Sequence, residues 1–104
     1  MPGDDHFDTD FKRLLWWLFV ATRGGETRLR IARFIREEPS NINRICRALD
    51  LNYRTVEHHL KVLEENRLVV TQGNGYGKVY FLSGQMEKGF GELEEMIRRG
   101  KRRE

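Results

Sequence analysis

The chain has 104 residues, 34% charged and 38% hydrophobic, with a formal net charge of +3; this length supports one domain whose modest core would gain from oligomerisation. Its single cysteine, Cys46, excludes an internal disulfide and any multi-cysteine metal site within one chain. The apolar run over residues 14–21 is far short of the ~18 residues that span a bilayer, and the acidic N-terminus is not that of a secretory signal, so a cytoplasmic protein without a membrane partner is expected.

The sequence pI near 9.3 suits a nucleic-acid partner, although many unrelated proteins are as basic. The distribution is uneven: residues 1–10 carry four Asp and no Lys or Arg, whereas residues 11–36 carry seven Lys or Arg against the single Glu26. Residues 1–9 are expected to be a flexible acidic terminus. The stretch from Asp4 to Asp10 lacks the central Gly and terminal Glu of a calcium loop. A first helix is expected over residues 10–23, capped by Asp8 or Thr9 and ended by Gly24-Gly25. Its apolar residues Phe11, Leu14, Leu15, Trp16, Trp17, Leu18, Phe19 and Val20 cannot all face one small core, so a second subunit is expected to cover part of it. Trp16, Trp17 and Phe19 could otherwise line a ligand pocket.

A second helix is expected over residues 26–38, stopped by Pro39, with Leu29, Ile31, Ala32, Phe34 and Ile35 apolar and arginines between them. Arg28, at its start, is a candidate phosphate contact, or pairs with Glu26 or Glu37. Ser40 or Asn41 should cap a short third helix over residues 42–49, with Ile42, Ile45, Cys46 and Leu49 inward. Asp50-Leu51-Asn52 then makes a tight turn. In the fourth helix Tyr53, Val56, Leu60 and Leu63 recur at helical spacing as a buried stripe. The other face carries Arg54, Thr55, Glu57, His58 and Lys61. Two β-prone runs follow, Leu68-Val69-Val70 and Lys78-Val79-Tyr80-Phe81-Leu82, around a glycine-rich tip with Asn74 and Tyr76. A last helix is expected over residues 84–99. Met86, Phe90, Leu93 and Ile97 form a narrow seam of the kind that pairs helix with helix, though Gly89 and Gly91 weaken it. Residues 100–104 form a basic tail.

A mainly α chain with one small β-hairpin in this order has the geometry of a winged helix-turn-helix, with extra dimerisation helices at residues 10–23 and 84–99. Such a helix fits the major groove, and the ribbon can reach the adjoining backbone or minor groove. Arg54 can reach guanine or a phosphate. Thr55 can bond a base edge or phosphate, and His58 can donate to either. Glu57 either accepts from cytosine N4 or orients Arg54. Lys61 adds a cation on the same face. Tyr53 packs inward with its hydroxyl free to reach a phosphate, and Asn52 caps the helix at the DNA end. On the wing, Asn74, Tyr76 and Lys78 are the candidate contacts. The dimer interface is expected from Phe11, Leu14, Leu15, Trp17, Leu18, Met86, Phe90, Leu93 and Ile97.

The element order and the string DLNYRTVEHHLKVLEENRLV resemble the ArsR-type winged-helix transcriptional regulators, particularly their archaeal relatives. The resemblance covers about residues 11–97 and is strongest from Thr27 to the GxGYGxVYFL wing. It implies a symmetric homodimer on a pseudo-palindromic duplex DNA operator, with the first and last helices at the dimer interface and residues 52–67 as the recognition helix. Metal-sensing members carry a Cys-x-Cys pair near the start of the first motif helix, or Asp and His ligands on the terminal helix. This chain has neither, so no metal or cofactor is expected. His58 and His59 point about 100° apart on a helix and cannot easily chelate one ion. There is no phosphate-binding Gly-Lys-Ser/Thr loop and no nucleophile with a base, so no enzyme is expected. The competing reading is a winged-helix module that docks on another protein of the transcription machinery, to which Glu57, Glu64 and Glu65 lend some support. The operator and any small-molecule effector are not written in the sequence.

Overall fold

A computed structural model describes residues 9–102. Helix α1 (Thr9–Trp16) continues without a break into a π-helical stretch, Trp17–Ala21. Then follow α2 (Gly25–Glu37), α3 (Ile42–Leu49), α4 (Tyr53–Glu65), β1 (Val69–Gln72), a single 3-10 turn at Gly75–Gly77, β2 (Val79–Leu82) and α5 (Gly84–Arg102). The architecture is mainly helical with one antiparallel hairpin, as the sequence pattern predicts. The acidic terminus expected over residues 1–9 lies outside the described residues except for Thr9, which opens α1. Gly25 starts α2 rather than ending the first helix. The last helix runs to Arg102, past the expected end at Arg99.

The local signals act as their chemistry dictates. Asn41 caps α3 by accepting from the Arg44 amide at 2.9 Å, and Asn52 caps α4 by accepting from the Thr55 amide at 2.8 Å. Between them Asp50 takes the left-handed conformation, φ 57°, and its amide donates back to the Cys46 carbonyl. Ser83 opens α5, its hydroxyl accepting from the Met86 amide at 3.2 Å. The hairpin pairs Val69 with Leu82 and Gln72 with Val79. Its inner strand is anchored by a bridge in which the Tyr80 amide donates to the Ser40 carbonyl at 2.9 Å. The wing is thereby tied to the chain just ahead of α3.

The core is one cluster from every helix and both strands. Leu15, Ile31, Ile35, Ile45, Val56, Leu60, Leu63, Leu68 and Phe90 are among its fully buried side chains. The expected dimer seam needs correction here. Phe11, Leu15, Leu18, Met86, Phe90 and Leu93 are all buried within one chain, where α1 packs against α5. They have no surface left for a partner. Gly89 explains the pairing: a Cβ there would lie 2.6 Å from the Phe11 ring, so the absent side chain makes room for the aromatic. Of the expected interface, Trp17 is exposed and Leu14 and Ile97 are half-buried. Trp16 and Val20, 52% and 38% exposed, join them outside. Among the described residues no helix is long and apolar enough to cross a membrane.

Candidate nucleic-acid interface

The outer face of α4 is a stripe set by helical spacing. Arg54, Glu57, His58 and Lys61 are exposed and line one shallow concavity. None of the four holds a hydrogen bond or ion pair among the described residues. Thr55 is half-buried at the N-terminal end, where its amide is taken by the Asn52 cap. Asn52 is exposed but its side-chain oxygen is committed to that cap.

Between α4 and the wing lies a cleft of about 220 Å³ lined by Ile42, Tyr53, Glu57, Gly75, Tyr76, Lys78 and Tyr80. It joins the helix face and the wing into one continuous surface. Tyr76, at the tip, is 81% exposed. The tip bends there because Gly75 takes φ 60°, a conformation that side chains rarely tolerate. Asn74 is exposed beside it. Lys78 is half-buried, its ammonium 5.5 Å from the centre of the Tyr80 ring. Desolvation, with the Glu57 charge second, pushes the Tyr53 hydroxyl above its ordinary range, so it stays a donor at neutral pH. The sequence reading omitted Tyr80 and Ile42 from this cleft; the strand alternation that pairs Lys78 with Tyr80 on one face was the available signal.

Arg28 is a correction. It is 6% exposed and cannot meet a phosphate, nor does it pair with Glu26 or Glu37. Its Nε donates to the Leu18 carbonyl at 2.7 Å and one terminal nitrogen donates to the Thr22 hydroxyl at 2.6 Å. The other lies 3.1 Å from His59 Nδ1, which must accept, so the ring proton sits on Nε2. One guanidinium thus ties the π-helical stretch and α2 to the buried side of α4.

Burial, and next the charge of Arg28, lowers His59 from 6.5 to about 4. The unfolded chain therefore takes up this proton first. Stability should be full above about pH 6.5, fall as pH drops toward about 4, and level off below, a loss of about 2–3 kcal/mol. His59→Gln keeps an acceptor for Arg28 and should remove this step. Urea unfolding of both proteins at pH 7 and pH 4.5 measures it; equal losses would refute the assignment.

Cys46 is half-buried and packs against the core, and desolvation raises its thiol, which favours the protonated form. Among the described residues no three His, Cys, Asp or Glu side chains group to hold a metal.

Residues 25–71, spanning α2, α3, α4 and most of β1, match the family model described as "Bacterial regulatory protein, arsR family". The fold is that of a winged helix-turn-helix. Solved structures agree on the fold. This chain is 18% identical, with a TM-score of 0.65, to a homodimeric winged helix-turn-helix DNA-binding domain from Mycobacterium bovis, a possible ArsR-family transcriptional regulator; 86% of this chain and 80% of that one are covered. HlyU from Vibrio cholerae is 22% identical, with a TM-score of 0.65 over 88% of this chain and 94% of its own. The apo-Zalpha domain of zebrafish PKZ is 25% identical, with a TM-score of 0.55 over 59% of this chain and 97% of its own. No curated protein sequence matches this chain.

Proposed function

We propose that this protein is a sequence-specific, DNA-binding transcriptional regulator, cytoplasmic and homodimeric, that binds a pseudo-palindromic operator. The α4 face enters the major groove and the wing rests on the flanking backbone. One observation carries the reading: Arg54, His58 and Lys61 stand uncommitted on α4 and share a continuous surface with exposed Tyr76 and half-buried Lys78 of the wing. The ArsR-type fold and its regulator relatives support it. Phosphate contacts supply affinity, and the α4 face supplies specificity. A gel shift of random duplex at low salt, followed by selection of a preferred sequence, tests the proposal. Absence of any shift, with capture of a transcription protein instead, would favour the protein-docking module.

The homodimer rests on the exposed Trp16, Trp17 and Val20, with half-buried Leu14, Met96 and Ile97. Two tryptophans more than half exposed are costly for a lone small domain and mark an association surface. Light scattering at micromolar concentration should give twice the 12.4 kDa chain mass. Trp17→Glu should give a folded monomer, because Trp17 lies outside the core. A monomeric parent protein would refute the assembly.

A further inference from the structure

The π-helical stretch, α2 and the C-terminal part of α5 line a further concavity that shares no residue with the wing cleft. It is about 700 Å³, within the range of small-molecule sites, and larger than the α4–wing cleft. Phe19, Val20, Leu29 and Ile97 give it an apolar lining. Arg23, Arg30 and Arg33 stand around it against the single carboxylate of Glu26. Arg33 is neutralised by a two-pronged bond to Glu94, at 3.0 and 2.6 Å. Arg30 meets only the Leu49 carbonyl, and Arg23 has no hydrogen bond or ion pair among the described residues. Two uncompensated cations thus border an apolar groove.

The groove also reaches the buried network. Thr22, on its wall, donates to the Trp17 carbonyl at 2.8 Å and accepts from Arg28, whose guanidinium contacts His59 of α4. We propose that this groove binds an amphipathic anion, an acyl or aryl carboxylate, and that the Thr22–Arg28–His59 chain transmits its occupancy to the recognition helix. The carboxylate pairs with Arg23 and Arg30, and the apolar body lies on Phe19 and Leu29. Material bound there presses on the π-helical wall that holds Thr22. The second half of the inference rests on the DNA-binding reading; the site itself does not.

The test uses the full chain and three probes: decanoate below its micelle concentration, acetate as charge without a chain, and decyltrimethylammonium as a chain with the opposite charge. Isothermal titration should show decanoate saturating one site per chain, with no matching response to the other two. Arg23→Gln with Arg30→Gln should weaken decanoate by about tenfold or more, and both exposed positions permit folding. The imidazole signals of His59 should move on binding in the parent protein. In Thr22→Val they should stay still while decanoate still binds. Equal binding of the cationic probe, an unchanged double variant, or decanoate excluded because a second copy fills the groove would each overturn the site. His59 signals that move equally in Thr22→Val would overturn the coupling. No DNA is present, so the duplex-binding reading stands or falls separately.

Discussion

Replacing Arg28 by methionine should lower the unfolding free energy at pH 7 by about 2–4 kcal/mol. Methionine keeps an apolar stem of similar reach, so packing is largely retained and the loss isolates the guanidinium. Three acceptors lose their donor: the Leu18 carbonyl, the Thr22 hydroxyl and His59 Nδ1. The carbonyl lies at a buried residue, where an unmatched acceptor costs about 1–3 kcal/mol. A second effect has the opposite sign in acid. With the neighbouring cation gone, His59 is held down by burial and His58 alone, so its pKa rises toward the ordinary value. The variant should therefore start less stable and lose less between pH 6.5 and 4. Urea unfolding followed by far-UV circular dichroism at several pH values checks both. Parent-like stability would show that the network contributes nothing.

Arg54→Ala should cost about 1–3 kcal/mol on the operator for each half-site if the side chain reads guanine, and should relax preference at one base position. Arg54 lies near the N-terminal end of α4, the end that usually enters the groove. Lys78→Ala should behave differently. It should weaken operator and random duplex alike and reduce the salt slope by about 1 per subunit, because a backbone contact carries no sequence information. Both variants should stay folded, since neither side chain belongs to the core. A salt-titrated binding assay on specific and scrambled duplexes separates them. If neither substitution changes binding to any duplex while a protein partner is lost, the docking alternative replaces the DNA reading.

Much of the fold was legible because its determinants are local. Asn41, Asn52 and Ser83 announce helix starts by the chemistry of their side chains. Tyr53, Val56, Leu60 and Leu63 announce the inward face of α4 by their spacing, and by exclusion its outward face. Spacing also marked Met86, Phe90 and Leu93, but it identifies a face and not what covers it. Their cover is the rest of the same chain, with α1 packed on α5 and Arg36 of α2 over the Phe90 ring. Arg28 was less legible still. It is one of five arginines between residues 23 and 36, and nothing adjacent distinguishes the buried one. Its partners Leu18 and His59 lie 10 and 31 residues away, so only the folded chain reveals it.

The stretch Trp17–Ala21 has a consequence for how this chain tolerates change in length. A π turn closes its hydrogen bonds one residue later than an α turn, so it absorbs an inserted residue without interrupting the helix. Deleting one residue there would restore ordinary spacing and rotate Phe11 and Leu15 by roughly 100° relative to Phe19. Different aromatics would then turn inward and outward, although every other position would align unchanged. At this point the number of residues, more than their identity, decides which aromatics face the outside.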